Sequence, residues 1–316
     1  MSNSDIVMSD GEIKSKRKLQ DIIFENLTLL FALTLILLVL LIMYEMFRDS
    51  APTREKFGLG FIFNGNWDPV KEDFGALSFI YGTFVSSMIA LAIALPVSLG
   101  VAIFLSEIAK GAVRSTISFL IEILAAIPSI IYGFWGIFVF APYMKNFIEP
   151  FLSKYLGFLP VFSGSSSGFN LFTAGVILSI MIIPIITSIS RDVMKAIPQS
   201  QREAAYALGA TRWEAIKMAI LNAKSGILGA TVLGLGRAIG ETMAVTMVIG
   251  NKAQIKSSFF EPAYSMASVI ANEFAEASGK LHISALIEVG LILFGVTFII
   301  NSLARLLIYS VSKSKK

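Results

Sequence analysis

"GLGRAIGETMAV", residues 234–245, sets two charges, Arg237 and Glu241, into a run from Ser225 to Gly250 that holds no other charged residue. The run is long enough to cross a bilayer, which takes roughly 20 apolar residues. A charge near the bilayer centre costs about 3 kcal/mol on insertion measures, so two of them in one span have to face protein or water. Whether this stretch is a membrane span decides the fold.

Composition says that it is. The chain has 316 residues, 55% hydrophobic and 15% charged, with a mean hydropathy of +0.74. Soluble domains keep about a quarter of their residues charged. There is no cysteine and one histidine, His282, which excludes disulfides, thiolate metal sites and Cys/His catalysis. The net charge of +4 is spread over short segments with no aromatic-lined basic face, so nucleic acid is not an expected partner.

Six spans are expected: Leu27–Met46, one within Phe74–Ser106, Ile117–Phe140, Leu171–Ser190, Ser225–Gly250 and Ile283–Tyr309. The second candidate is long for one crossing, so Pro96 is expected to bend or divide it, and Pro128 and Pro184 suggest similar breaks. The first span follows Lys14, Lys16, Arg17 and Lys18, but it is too long for a signal peptide and no small-residue cleavage site follows. Six spans put both termini on one side. The tails and the two loops on that side hold 15 Lys and Arg, against 9 in the three opposite loops. Both termini are therefore expected in the cytoplasm.

Outside the spans, Met1–Asp10 is polar, "SGSSSG" at 163–168 has linker composition, and outer loop 48–75 reads either as a docking surface or as a capped loop lying on the membrane. Loop 191–224 predicts helix, turn, helix. Ser200 with Glu203 and Thr211 with Glu214 have capping-box spacing, and Gly209 falls where a helix end favours a left-handed residue. Alone, it is either a docking element or an amphipathic pair on the lipid surface.

Two readings of the charged pair stand beside each other. As a structural ion pair, Arg237 and Glu241 cancel one another's cost, although apolar residues pack as well. As an anion site, the Arg237 fork takes two oxygens of an oxyanion while Glu241, one turn on, holds the guanidinium and limits affinity. Gly236 and Gly240, with Gly234 and Ala244, offer a small surface for close helix approach. Glu122 and Glu288 read as interface residues, Arg305 as a side chain snorkelling from the inner end of its span, and His282 as an interface residue. No phosphate-cradling G-x-x-x-x-G-K-[ST] is present.

"EAAYALG", Glu203–Gly209, resembles the EAA loop of bacterial ABC importer permeases: Glu203, Ala204, Ala205 and Gly209 match, as does Leu221, while Asn222 stands in place of the motif's proline. "GTFVSSMIALAIALPVSLGVAIFLSE" (82–107), "IPSIIYGFWG" (127–136) and "GLGRAIGETMAVTMVIGN" (234–251) narrow the resemblance to phosphate-specific importer permeases of the PstC type, over about residues 70–310. The resemblance implies an all-α, six-span permease of type I ABC importer architecture in the inner membrane. It implies a tail (1–26), a first helix and outer loop (27–73), a permease core (74–310) with the coupling loop 191–224, and a second tail (311–316). Its implied partners are a PstA-like second permease, a dimeric P-loop ATPase, an external phosphate-binding protein, inorganic phosphate and the surrounding lipids. Arg237 and Glu241 become translocation residues, and Glu203, Ala204, Ala205 and Gly209 coupling residues. No cofactor or enzymatic activity is implied. Sulfate or molybdate, an ion-pair-gated channel, a proton-coupled carrier and a membrane scaffold are the competing functions.

Overall fold

The computed structural model describes residues 19–164 and 166–313. The basic stretch Lys14–Lys18, the polar tail Met1–Asp10 and the last three residues lie outside them. The chain divides into two units that part at Arg48 and Asp49. The described part of the first unit is helical and belongs to α1, Leu19–Asp49, which is apolar along most of its length.

The second unit begins with an outer segment: α2 (Ala51–Phe57), α3 (Gly60–Phe63) and a hairpin of β1 (Trp67–Asp68) and β2 (Asp73–Phe74). Phe74, the first residue of the uncharged run expected to hold the second span, pairs with Trp67 across the hairpin. Phe61, Phe74 and Phe79 are fully buried here with Val269, Leu286 and Val289. The loop is thus a folded segment with a buried aromatic core.

Helix α4 (Leu77–Ile103) follows, ending in a π-helical turn at Phe104–Ile108. Its buried face carries Gly82, Ser86, Ala90, Ala94, Ser98 and Ala102, a small residue every four positions. Small residues at that spacing let helices approach closely. The neighbour is α9 (Leu171–Lys195): a methyl added at Gly175 would meet Ile89 Cγ2 at 2.6 Å. Neither proline breaks its helix. Pro96 and Pro184 both lie within continuous helix, and Ser98 Oγ donates to the Ile183 carbonyl between them at 3.2 Å. One lost backbone bond is offset by packing on the densest helix pair of the fold.

Pro128 does break its span. Helix α5 (Gly111–Ala126) stops at Ile127, whose backbone is extended, and the chain turns by 90°. A residue before proline is driven out of the helical region. The helical path resumes as α6 (Ser129–Trp135), α7 (Ala141–Tyr143) and α8 (Glu149–Leu156), joined by π-helical turns at Gly136–Phe140 and Met144–Ile148. Each π turn ends two residues before a proline, Pro142 and Pro150. A wide turn accommodates the carbonyl that proline leaves without a donor. The expected third span, Ile117–Phe140, is therefore replaced by a bent pair. Among the described residues five helices are long and apolar enough to cross a membrane, and this pair makes six when counted as one span.

Helices α10 (Gln199–Ala207) and α11 (Arg212–Ile239) come next. A short α12 (Met243–Val248) and α13 (Met266–Glu273) precede α14 (Lys280–Lys313). The main core joins α4, α6, α9, α11 and α12 around Leu178, Ile182, Ile186 and Val248.

Candidate functional site

Arg237 lies in the last turn of α11 and is exposed on the surface of this chain. Glu241 is buried, 7% exposed. The two do not share a helix face, because α11 ends at Ile239 rather than running to Gly250. Gly240 is a poor helix former, and Glu241 serves the next helix instead: its Oε1 accepts from the Ala244 N–H at 3.4 Å, three residues on. A carboxylate at a helix start satisfies a free amide and suits the helix dipole. Among the described residues Arg237 makes no ion pair, so Glu241 does not hold the guanidinium. The paired geometry expected from a continuous helix is absent because the helix is not continuous.

Tyr132 donates to the Leu124 carbonyl at 3.0 Å, across the break between α5 and α6. The broken span packs on α12, the helix that follows the end of α11: a methyl at Gly133 of α6 would meet the Ala244 Cα at 3.3 Å. The glycines divide by role. A methyl at Gly234 would meet Ile186 Cγ1 at 2.7 Å, so this glycine seats α11 against α9. Gly236 and Gly240 are open, with nearest contacts at 3.7 and 3.6 Å. Ala244 is fully buried within the chain, below Gly133 of α6.

The loop at 191–224 folds as the sequence predicts, with one correction. Thr211 and Glu214 form the capping box: Glu214 Oε2 accepts from the Thr211 N–H and hydroxyl at 2.7 and 2.8 Å, and Thr211 Oγ1 accepts from the Glu214 N–H at 3.4 Å. Gly209 has φ +81°. The Ser200–Glu203 box does not form, since α10 starts earlier, after Pro198, and Ser200 falls inside its first turn. Glu203, Ala204 and Gly209 are exposed, and Ala205 is buried. Leu208, 90% exposed, stands at the tip of the loop beside exposed Tyr206 and Trp213.

Sequence reading missed what holds this loop. Arg202 Nη2 and Nε donate to both Glu107 oxygens, at 2.7 and 3.1 Å, and Arg202 also reaches the carbonyls of Met194 and Ile197 at 3.0 and 2.9 Å. Glu107 closes α4, 95 residues away in sequence. No local signal marks such a pair. Buried Glu149 was missed likewise: it accepts from Asn170 Nδ2 at 2.8 Å and from the Gly168 N–H at 3.3 Å. The remaining acids have partners. Glu122 meets Arg191 at 3.6 Å and Glu288 meets Arg54 at 3.7 Å. His282 lies 3.1 Å from Glu273 Oε2, which also accepts from Trp67 Nε1 at 2.8 Å.

The described residues thus build a polytopic helical chain with a capped, exposed helix-turn-helix loop and an arginine on an open face. Residues 98–313 match the model of the family described as binding-protein-dependent transport system inner membrane component. The chain belongs to that family, within its PstC-type branch: it is 47% identical to the phosphate transport system permease protein PstC of Pasteurella multocida over 93% of both chains, and 47% identical to that of Haemophilus influenzae over 93% and 94%. The PstC 2 protein of Mycobacterium tuberculosis is 39% identical over 86% of each chain. In fold, the chain is similar to a solved inward-facing structure of the MetNI methionine ABC transporter, with a TM-score of 0.55 at 18% identity, covering 74% of this chain and 94% of that one.

Proposed function

We propose that this chain is the permease subunit of an ATP-driven importer that carries inorganic phosphate into the cytoplasm. It forms the pathway with a PstA-like second permease. A separate P-loop ATPase dimer, docked at Glu203, Ala204, Ala205 and Gly209, supplies the energy, and an external phosphate-binding protein delivers the ion. Residues 74–310 are the permease core, and both tails are cytoplasmic. The observation that carries this reading is Arg237: a permanent cation within an apolar span, exposed on the single chain, with no carboxylate partner among the described residues. Lipid cannot cover it cheaply, so that face belongs to a wet pathway or a partner. A guanidinium offers a planar fork to two phosphate oxygens. Glu241 contributes by starting α12 and so fixing the break that presents Arg237.

Labelled-phosphate uptake by the reconstituted complex, with sulfate as competitor, tests the reading. Arg237→Gln is expected to abolish uptake while the complex still assembles, because Glu241 keeps its bond to Ala244. Arg237→Lys is expected to lose most uptake, since an ammonium lacks the fork. The double variant Arg237→Gln, Glu241→Gln is expected to assemble and stay inactive. Recovered uptake in the double variant would overturn the anion-site role and restore the structural pair.

A further inference from the structure

Arg237 is not the only arginine set in an apolar span and open to the surface. Arg305 interrupts α14, with no other charge between Glu288 and Arg305, and with Leu306, Leu307 and Tyr309 exposed beyond it. It is exposed and makes no ion pair or hydrogen bond among the described residues. It lines an open groove of about 440 Å³ with Leu233 of α11 and Thr297, Asn301 and Ser302 of α14.

The register of the two helices sets its depth. A methyl at Gly236 would touch Asn301 Oδ1 at 3.7 Å, and one at Gly229 would touch Ile308 Cδ1 at 3.9 Å. Seven residues down α11 thus match seven residues up α14, which is antiparallel packing at equal rise. Arg305 therefore lies level with position 232 and Arg237 with position 300. At 1.5 Å per residue the two arginines are separated by roughly 7–8 Å along the axis. Arg305 is roughly 12 Å deeper than Lys224, the last charge before the groove on α11. That depth argues against a side chain merely snorkelling at a helix end. Leu233 and Arg237 are four apart on α11, so Arg237 continues the face that lines the groove. Helical side chains lean towards their own N-terminus. Because the helices are antiparallel, Arg237 leans towards the groove and Arg305 leans towards Arg237.

Two cations on one apolar face, without a carboxylate partner among the described residues, repel each other when the site is empty. A doubly charged tetrahedral oxyanion relieves that repulsion, and Asn301 and Ser302 supply neutral donors beside it. We propose that Arg305, Asn301 and Ser302 form a second oxyanion station, on the cytoplasmic side of Arg237, that receives the ion as it leaves. This rests on the phosphate-import reading above and adds a residue to it. The same chemistry would hold the phosphate of a lipid headgroup, so the test separates the two sources.

The assembled complex is reconstituted in nanodiscs of phosphatidylcholine alone and of phosphatidylcholine with anionic phosphatidylglycerol. Uptake of labelled phosphate and recovery of complex are measured for Arg305→Gln, Arg305→Lys and Asn301→Leu, with Arg237→Gln as control. We expect Arg305→Gln to assemble and to lose uptake by about tenfold or more, the scale of one charge-assisted bond, equally in both lipids. Arg305→Lys should retain an intermediate rate, and Asn301→Leu should lose less than Arg305→Gln. Wild-type uptake in Arg305→Gln with an inactive Arg237→Gln overturns the second station and leaves phosphate import standing. An active Arg237→Gln removes the anion-site role of Arg237, on which the second station rests, and no phosphate uptake by the wild-type complex removes the import reading itself. A defect confined to anionic lipid assigns Arg305 to a headgroup, and loss of assembled complex in both Arg305 variants assigns it to a subunit contact. Either result overturns the proposal.

Discussion

Arg202 shows how a single side chain can govern a loop whose function lies elsewhere. Its guanidinium takes both oxygens of Glu107 and two backbone carbonyls at the end of α9. It thereby ties α10 to the ends of both α4 and α9. The pair is largely sheltered, with side chains 19% and 9% exposed. Removing one member strands the other, which costs about 3–5 kcal/mol when burial is complete and somewhat less here. Arg202→Ala is therefore expected to free α10 without unfolding the spans. Limited proteolysis should cut between residues 196 and 212 more rapidly, and substrate-stimulated ATP hydrolysis by the complex should fall at least several-fold. Arg202→Lys should recover only part, because one ammonium cannot span two oxygens and two carbonyls. Unchanged cleavage in Arg202→Ala would show that the loop is held by its apolar contacts alone. Sequence reading could find Arg237, whose anomaly is local: a charge where its neighbours are apolar. It could not find Arg202 or Glu149, whose chemistry depends on partners brought together by tertiary packing.

At the scale of elements, the turn at Gly209 and the cap at Thr211 were legible because their chemistry is local. Gly209 has φ +81°, and nothing lies within 4 Å of where a methyl would stand. A side chain there meets only backbone strain, about 1–2 kcal/mol for an ordinary residue and more for a β-branched one. Gly209→Val is expected to uncouple ATP hydrolysis from uptake while the protein still inserts, and Gly209→Asn to be milder, since Asn tolerates the left-handed region. Normal coupling in Gly209→Val would show that the turn does not set the docking geometry. The cap carries a pH dependence. Hydrogen bonds from Thr211 hold the Glu214 carboxyl below its usual value of 4.5. A carboxylate depressed in the fold stabilises fully above its unfolded value, and that contribution is lost as pH falls through the folded value. Amides 213–216 should keep constant protection, corrected for intrinsic exchange, down to about pH 5 and lose it below. In Glu214→Gln the profile should be flat. Proline effects were less legible. Pro96, Pro128 and Pro184 look alike in sequence, but only Pro128 turns the chain. Pro96 and Pro184 lie on the closely packed pair α4 and α9, where tertiary contacts sustain the helix.

For the whole molecule, hydropathy fixed the class and most span positions, because the bilayer sets length and polarity in a way each segment must obey alone. It did not show where a span ends early, since the stop at Ile239 depends on Glu241 capping the following helix. Nor did it show which small residues serve the chain and which face outwards. The structure separates them, and opposite outcomes are expected from two glycines six positions apart. Gly234 sits against Ile186, where a methyl would meet side-chain carbon at 2.7 Å. Overpacking of that kind costs about 1–3 kcal/mol, so Gly234→Leu should lower the thermal stability of the purified single chain. Gly240 is exposed, its backbone at φ −90° and ψ 1° suits any residue, and its nearest contact is at 3.6 Å. Gly240→Leu should leave the single chain as stable as wild type. If a second permease lays a helix along Gly236 and Gly240, the leucine holds that helix away, because contacts of this kind depend on backbones approaching closely. The expected result is a stable chain that no longer co-purifies with its partner permease. Normal co-purification of Gly240→Leu would place the partner elsewhere, and leave the open glycine face to the pathway proposed at Arg237.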